Sequence, residues 1–286
     1  MTHPVFTQRI AVLATMHHKE KAIAPILERE LGLRVMVPEG LDTDAFGTFT
    51  RDRERPGTQV EAARLKAEKA LELTGETLAI ASEGVFAPHP SFPAIPCNRE
   101  LVLLLDKTNQ LEIVGQEFSL ETNYSHTTVQ DFQSALAFAE KVGFPEHGLV
   151  VMVSQSSKQP DEIFKGITSE RQLLEAVMIA LERSPNGTIH LETDMRALYN
   201  PTRMAVIEKA THDLVKKINC ACPACATPGF ELVERRPGLP CGLCGLPTPL
   251  THIALYRCQR CEFTQEILFP DGLEVADPAQ CNYCNP

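Results

Sequence analysis

The chain has 286 residues, of which 43% are hydrophobic, and a formal net charge of -10, so it can bury the core of one large domain and a small one. It contains no tryptophan, and residues 216–286 carry six Lys or Arg against seven Asp or Glu. Nucleic-acid binding requires a basic face and stacking rings, so this composition argues against that class of function. We expect a cytoplasmic protein, because the N-terminus lacks a secretory signal and no apolar run could span a membrane.

Strands and helices alternate along residues 1–218, which predicts an α/β fold with a mixed sheet flanked by helices. The predicted strands are residues 10–15, 33–37, 78–81, 101–105, 111–114, 149–154 and 188–192. The predicted helices end at Gly32, run over 58–73, 129–141 and 170–183, and begin at Pro201 behind the capping residue Asn200. Pro25 predicts that the first helix starts late or kinks. We place an α/β domain at 1–218, divided into 9–115 and 116–218, and a zinc-ribbon domain at 219–286.

Four Cys-x-x-Cys pairs in the last part of the chain are the strongest motif. Their cysteines are Cys222, Cys225, Cys241, Cys244, Cys258, Cys261, Cys281 and Cys284. The tight turn in each pair aims two sulfurs at one point, so the eight thiols predict two closed, structural zinc sites of four cysteines each. Redox chemistry, iron–sulfur ligation and disulfides are weaker alternatives for four pairs spread through loops of a cytoplasmic protein. The metal would then supply much of the folding free energy of this segment.

The sequence leaves open which pairs share a metal ion. Residues 241–261 resemble a zinc ribbon, in which a strand separates two knuckles that close on each other. This favours a nested arrangement, in which Cys222/Cys225 and Cys281/Cys284 form the second site. Sequential pairing, 222 to 244 and 258 to 284, is the alternative. Cys97 and Cys220 are spare in both schemes and are expected to be ordinary thiols.

Polar residues that follow the predicted strands are the candidates for chemistry. Thr15, His17, His18, Lys19 and Lys21 follow the first strand, where open α/β sheets bind ligands and a helix N-terminus attracts anions. They predict a phosphate-binding turn, with a solvated polar turn as the alternative. Glu83 follows the strand 78–81 and precedes Gly84, a position suited to a Mg²⁺ ligand. Glu61 is a second candidate ligand, although Thr58-x-x-Glu61 also forms a helix capping box.

Three segments resemble a known family when they are taken together. They are Leu13-Ala14-Thr15 with the following His and Lys residues, Gly57-Thr58-x-x-Glu61-Ala62-Ala63-x-x-Lys66-Ala67, and Leu78 to Gly84. They are similar to motifs of the inosine/xanthosine triphosphate pyrophosphatase superfamily, over residues 9–115. The resemblance implies a pyrophosphatase-like fold in this part, Glu61 as a metal ligand, and Lys66 and the first turn as phosphate-binding groups. In this chain Ala81-Ser82-Glu83 stands where that superfamily has two acidic residues.

A second resemblance covers the whole chain, including the segments 192–196 and 200–203 and the cysteine pairs. It is to an uncharacterised bacterial family, described only as a domain of unknown function. Arg196 and Arg203 are further candidates for binding a phosphate or carboxylate, because Arg203 falls in the first turn of the last helix. The alternative is an internal ion-pair cluster with Glu192 and Asp194.

We therefore expect a Mg²⁺-dependent hydrolase that acts on a nucleoside triphosphate or a related phosphorylated small molecule. Glu61 and Glu83 are its expected catalytic residues, and the phosphates are bound by Thr15, His17, His18, Lys19, Lys21, Lys66, Arg196 and Arg203. The alternative is a non-catalytic zinc-ribbon module that has kept a nucleotide-pocket scaffold. In that case the ribbon docks a protein or an RNA.

Overall fold

The computed structural model describes residues 4–41 and 57–286, and the chain divides into two compact units. Unit 1 comprises Met1–Thr108 and Val114–Val215, and unit 2 comprises Asn109–Ile113 and Lys216–Pro286. The described residues form five α-helices and twelve strands, which makes the protein a mixed α/β structure as expected. Within these residues, none of the helices has the length and apolar character required to cross a bilayer.

A five-stranded mixed sheet forms the first half of unit 1. Its elements are β1 (Ile10–Ala14), α1 (Glu20–Leu31), β2 (Arg34–Met36), α2 (Gln59–Thr74), β3 (Leu78–Pro88), β4 (Pro96–Asp106) and β5 (Leu111–Ser119). The strand order is β2-β1-β3-β4-β5, with β2, β1 and β3 parallel and β4 antiparallel to β3. The parallel strands β1 and β3 therefore end at the same edge of the sheet, which brings the residues after β1 close to the second half of β3.

The alanine-rich face of α2 packs on this sheet. Small side chains of the helix meet β1, β3 and β4 in one buried apolar cluster, so the helix can approach the sheet closely. A complete capping box of Thr58 and Glu61 begins the helix, and Gly75 ends it in the left-handed conformation, with a φ of 74°. In α1, Pro25 lies inside a helix that begins at Glu20, so the expected late start is wrong. Proline at this position removes only one helix hydrogen bond.

A four-stranded antiparallel sheet forms the second half of unit 1. Its elements are β6 (His126–Val129), α3 (Phe132–Lys141), β7 (Leu149–Met152), β8 (Ile163–Ile167), α4 (Glu170–Arg183), β9 (Ile189–Thr193) and α5 (Pro201–Ile218), with strand order β6-β9-β7-β8. The predicted helix began at Val129, which is wrong, and β6 and β8 were not predicted. Asp131 caps α3 from an extended conformation, so the helix begins after the cap, and residues 126–129 pair with β9.

The hairpin of β3 and β4 is longer than the apolar pattern indicated. Strand β3 continues through Ser82, Glu83 and Gly84 to Pro88, and these residues pair with the first half of β4. Glu83 therefore lies within a strand and not after one. The paired segment of β4 contains the polar residues Asn98 and Glu100, which is why hydrophobicity alone ended β3 too early and began β4 too late.

Unit 2 is built on a three-stranded antiparallel sheet. Its strands are β10 (Glu231–Pro237), β11 (Thr251–Arg257) and β12 (Thr264–Leu268), in the order β10-β11-β12. The short segment Asn109–Ile113 belongs to this unit. There the side chain of Gln259 bonds the backbone N–H and C=O of Glu112 at 3.3 and 2.8 Å. The cysteine pairs lie in the turns before, between and after the strands.

Candidate functional site

The eight cysteines of unit 2 form two sets of four. Cys222, Cys225, Cys258 and Cys261 form one set, and Cys241, Cys244, Cys281 and Cys284 form the other, with all sulfurs of a set within 4.8 Å of one another. The Sγ–Sγ distances between knuckles are 3.7 Å in the first set and 3.9 and 3.7 Å in the second. Tetrahedral zinc with bonds of about 2.3 Å requires sulfurs about 3.8 Å apart, so both sets could hold zinc.

The pairing of knuckles is interleaved, and both the nested and the sequential schemes are wrong. The physical reason is the direction of the strands. Because β10 and β11 are antiparallel, the knuckle before β10 lies beside the knuckle after β11, as the pairing of Glu231 with Arg257 shows. Because β12 is antiparallel to β11, the knuckle after β12 returns to the opposite end of the sheet. Strand β11 spans about 23 Å at ~3.3 Å per residue, so it separates the two knuckles that were expected to close on each other.

Backbone groups shape each knuckle and favour ionised sulfur. The amides of Leu243 and Arg260 lie 3.4 Å from the sulfurs of Cys241 and Cys258, so the same bond recurs in both sets. Hydrogen bonds from the amides of Cys244 and Leu243 lower the pKa of Cys241 to about 7. In contrast, the sulfur of Cys244 raises the pKa of Cys284 to about 12. Four thiolates at this spacing repel one another, so a bound cation is required to ionise the complete set.

A cluster of buried charges lies at the edge of the first sheet in unit 1. It consists of three cations, Lys19, Lys66 and Arg203, and two carboxylates, Glu83 and Glu100, none of which is more than 7% exposed. The four other charges all act on Lys19. Buried charges are normally paired one to one, so a cluster with one extra cation is unusual. We refer to these five residues as the charge cluster.

Lys19 is the cation of the cluster that has no carboxylate partner among residues 4–41 and 57–286. It is the residue at the N-terminus of α1, and its Nζ donates to Ser82 Oγ at 3.0 Å and to the Ser82 carbonyl at 3.3 Å. Among the described residues it forms no ion pair with an acid. Burial, and next the positive charge of Arg203, lower the pKa of Lys19 from 10.5 to about 7. The site therefore disfavours the protonated lysine until negative charge is supplied.

The two predicted catalytic glutamates lie in different surroundings. Glu83 is buried and forms an ion pair with Lys66 of α2. Glu61 is exposed, and its carboxylate accepts the Thr58 N–H at 2.7 Å, which lowers the pKa of Glu61. Gln59 in the first turn of α2 donates to the Arg99 carbonyl at 3.1 Å, so the start of the helix lies near β4. A metal site can be built from three or more neighbouring His, Cys, Asp or Glu side chains. Among the described residues only the two cysteine sets meet this condition, and neither Glu61 nor Glu83 belongs to such a group.

A fully buried ion pair links β4 to α5. Arg203 Nε donates to Glu100 Oε1 at 2.8 Å, and its Nη1 donates to the Met195 carbonyl at 2.5 Å. Asn200 caps α5 as expected, since its Oδ1 accepts the Arg203 N–H at 2.9 Å. Gly84, opposite Glu100 on β3, leaves room for both side chains, because a Cβ there would overlap the Glu100 carboxylate and the Arg203 guanidinium.

The other predicted phosphate-binding residues are placed as follows. The Thr15 hydroxyl is buried and accepts the His17 N–H at 3.3 Å, which shapes the turn after β1. His18 adopts a φ of 56° and its ring lies 3.1 Å from Glu20. Lys21 is exposed on α1. The turn thus directs Lys19 alone into the charge cluster.

Arg196 lies in a separate ion-pair cluster. Its guanidinium bonds Asp194 at 3.0 and 2.6 Å and lies 4.7 Å from the centre of the Tyr199 ring. Asp194 is buried and also accepts the Gly166 N–H at 3.0 Å. Arg196 is not among the charges that act on Lys19. These contacts fix the loop after β9, in agreement with the alternative given in the sequence analysis for this segment.

Sequence reasoning missed Glu100 and the side-chain role of Ser82. The sequence contained a signal for Glu100. Asn98 and Glu100 lie on the same face of β4 as the apolar Val102 and Leu104, while the residues between them point to the other face. Polar residues at inward positions of an apolar strand indicate a buried polar site. The partner of Glu100 is 103 residues away, and no local pattern could have identified it.

Comparison with known proteins gives a family but no activity. None of the curated proteins matches the chain. Among solved structures, the crystal structure of protein VC0702 from Vibrio cholerae is similar with a TM-score of 0.33 and 8% identity, covering 75% of this chain and 97% of that one. A likeness of this size carries no argument. The model of the domain of unknown function DUF6671 matches residues 66–286, most of the chain. The expected membership of an uncharacterised family is confirmed, and this protein belongs to the family defined by DUF6671.

Proposed function

We propose that the charge cluster binds the phosphate groups of a phosphorylated small molecule, such as a nucleoside triphosphate, and that the protein hydrolyses a phosphoanhydride bond of that molecule. The observation that carries this proposal is Lys19, a buried cation in a cluster that has more cations than carboxylates. A phosphate would supply the missing negative charge and restore the protonated lysine. Lys19 also begins α1, so the partial positive charge of the helix end adds to the attraction.

The neighbouring residues have complementary roles in this proposal. Lys66 forms an ion pair with Glu83 and is itself close enough to the cluster to act on Lys19. When phosphate binds, Lys66 turns toward the new negative charge, and Glu83 becomes the group that orients the attacking water. Glu100 and Arg203 fix each other and give the cluster one rigid side. Glu61 has a capping role at the start of α2.

The hypothesised Mg²⁺ ion is not required by this proposal. Mg²⁺ is bound through one or two carboxylates together with substrate phosphates. Glu83 is paired with Lys66, and Glu61 is bonded to the backbone of Thr58. No step of the proposed hydrolysis depends on this metal. The resemblance to pyrophosphatases implies that the activity depends on Mg²⁺, so the assay is run with and without this ion.

The test measures release of phosphate and pyrophosphate from the common nucleoside triphosphates, with and without Mg²⁺. We expect turnover by the wild-type protein and a loss of at least a hundredfold for Glu83→Gln, on the scale of general acid–base contributions. Lys66→Met should weaken binding, whereas Lys69→Met on the same helix, an exposed lysine paired with Glu72, should not. Binding without turnover would favour the non-catalytic module. Absence of both binding and turnover would overturn the proposal.

We further propose that each cysteine set binds one structural zinc ion. Two closed four-cysteine sites leave no open coordination position for a substrate, so the metal stabilises unit 2 and takes no part in the hydrolysis. Metal analysis of the purified protein should give two zinc ions per chain. A value near one, or iron in place of zinc, would contradict this assignment.

A further inference from the structure

Asn98 is a buried amide that has no hydrogen-bond partner among the described residues. It is 1% exposed, and neither its Oδ1 nor its Nδ2 is bonded to any group of residues 4–41 and 57–286. Burying an amide without partners is unfavourable, and such groups in native proteins normally have a function or a hidden partner. By comparison, Asn123 is also largely buried, but its amide bonds Val142 and Asn200 at 3.0 and 2.9 Å.

The position of Asn98 connects it to the charge cluster. Asn98 and Glu100 are two residues apart on β4, so their side chains lie on the same face, about 7 Å from each other along the strand. Directly opposite on β3, Phe86 pairs with Asn98 as Gly84 pairs with Glu100. The guanidinium of Arg203 lies 5.5 Å from the centre of the Phe86 ring. Asn98 is thus the next polar group along the row that begins with Ser82 and Glu100.

Aromatic rings lie near Asn98. The Phe86 ring stacks on Tyr124, with 5.8 Å between centroids and an angle of 28° between the rings, and both rings are partly exposed. The side-chain amide of Asn98 has one donor group, Nδ2, and one acceptor, Oδ1, side by side near these rings. Nucleobases carry this pattern on their edges, and Asn reads it with a pair of hydrogen bonds. Aromatic side chains bind the faces of bases.

From these contacts we infer that Asn98 is a specificity-determining residue that binds the base edge of a nucleotide, while the charge cluster holds the phosphates. The inference rests on the proposed function, because it names the ligand class of that same site. The Asn98 amide is closed to solvent, so the half-buried Phe86 ring moves when the base enters. The base then satisfies both groups of the amide, which have no hydrogen-bond partner in the part of the chain that the structure describes.

The experiment compares binding of inorganic triphosphate with binding of ATP, GTP, CTP and UTP by titration calorimetry. The wild-type protein should bind at least one of the four nucleotides tenfold or more tightly than inorganic triphosphate. Asn98→Leu should lower the affinity for that nucleotide about tenfold to a hundredfold, which is the value of a bidentate contact, and leave inorganic triphosphate unchanged. Asn98→Ala is a second variant in case leucine does not fit.

Stability measurements distinguish a ligand-binding amide from one with a structural role. Without ligand, Asn98→Leu should melt at the same temperature as the wild type or higher, because it removes unsatisfied polar groups. The control Asn123→Leu should melt lower, because it breaks two bonds, and should keep the preference for the nucleotide. Equal effects of Asn98→Leu on inorganic triphosphate and nucleotide, or no effect on either, would overturn the inference and leave the proposed function standing. If the wild type binds neither ligand, the proposed function fails and the inference with it.

Discussion

The cysteine sets of unit 2 and the charge cluster of unit 1 have opposite imbalances of charge. Four neighbouring sulfurs cannot all lose their protons without a cation, which is why the pKa of Cys284 is raised to about 12. Three buried cations share two carboxylates, and burial with a neighbouring cation lowers the pKa of Lys19 to about 7. In each region a group whose charged form is disfavoured, Cys284 or Lys19, indicates the sign of the charge that a bound partner would supply. We propose that a cation completes each cysteine set and that an anion completes the charge cluster.

The largest expected effect comes from removing a sulfur ligand. Cys258→Ser should lose one of two zinc ions, and unit 2 should lose much of its stability, because zinc contributes on the order of 10 kcal/mol to the folding of small modules. Metal analysis and limited proteolysis would measure both effects. Cys220→Ser is the matched control, since Cys220 is exposed and lies outside both sets. If Cys258→Ser kept two ions and resisted proteolysis, the four-thiolate assignment of this set would be wrong.

A second prediction compares ion pairs in the two regions. Glu100→Gln leaves the fully buried Arg203 without its countercharge and should lower the free energy of unfolding by about 3–5 kcal/mol. In the ribbon, Arg236 and Glu266 form an exposed pair at 2.6 Å, and Glu266→Gln should change the free energy of unfolding far less than Glu100→Gln does. Denaturant unfolding measures both values. Similar costs for the two variants would show that the Glu100–Arg203 pair is open to water.

These two regions also differ in how far the sequence could predict them. The spacing of each Cys-x-x-Cys pair identified all eight cysteines of the two sets, because the two cysteines of a knuckle are local. The pairing of knuckles depends on strand direction and was missed, although the alternation of strands and knuckles contains the information. In unit 1, Lys66 and Glu83 were both candidates, but their ion pair depends on how α2 packs on β3. Arg203 was predicted as a residue that binds a phosphate or carboxylate, but its partner Glu100 was not predicted.

The strand ends show the same limit. Hydrophobic periodicity located the helix 170–183 with its observed bounds, since its buried residues recur on one face. It stopped β3 at Ala81, because the polar residues beyond look like a turn. They continue the strand because each pairs with a residue of β4, and the buried polar groups then bond one another. Where buried polar residues occupy a strand, the hydrophobic pattern that predicts strands is absent, and the strand is predicted too short.

A third prediction follows from the lowered pKa of Lys19, and sulfate tests it well, because its charge is constant between pH 6 and pH 9. Sulfate requires the protonated lysine, so its affinity should be highest below pH 7 and should fall up to tenfold per pH unit above it. The other charges of the cluster form two ion pairs, Lys66 with Glu83 and Arg203 with Glu100.

Lys19→Arg is the control for this titration, because a guanidinium keeps its charge throughout the range. Its affinity for sulfate should change little with pH. Lys19→Met should not bind sulfate at any pH. If the wild type and Lys19→Arg showed the same pH profile, another group would control the binding, and the contrast between an anion-binding cluster and cation-binding cysteines would lose its support.

The smallest predicted effect concerns Glu61 and distinguishes a capping role from a catalytic one. The Glu61 carboxylate accepts the Thr58 N–H at 2.7 Å and its own N–H bonds the Thr58 hydroxyl at 3.3 Å, so the two residues begin α2 together. Glu61→Gln keeps a side-chain acceptor at this position, and we expect it to change stability less than Thr58→Ala does and to leave turnover within a factor of two. Thr58→Ala should cost about 1 kcal/mol. A hundredfold loss of turnover in Glu61→Gln at unchanged stability would instead place Glu61 with Glu83 in the chemistry, as the resemblance to pyrophosphatases implied.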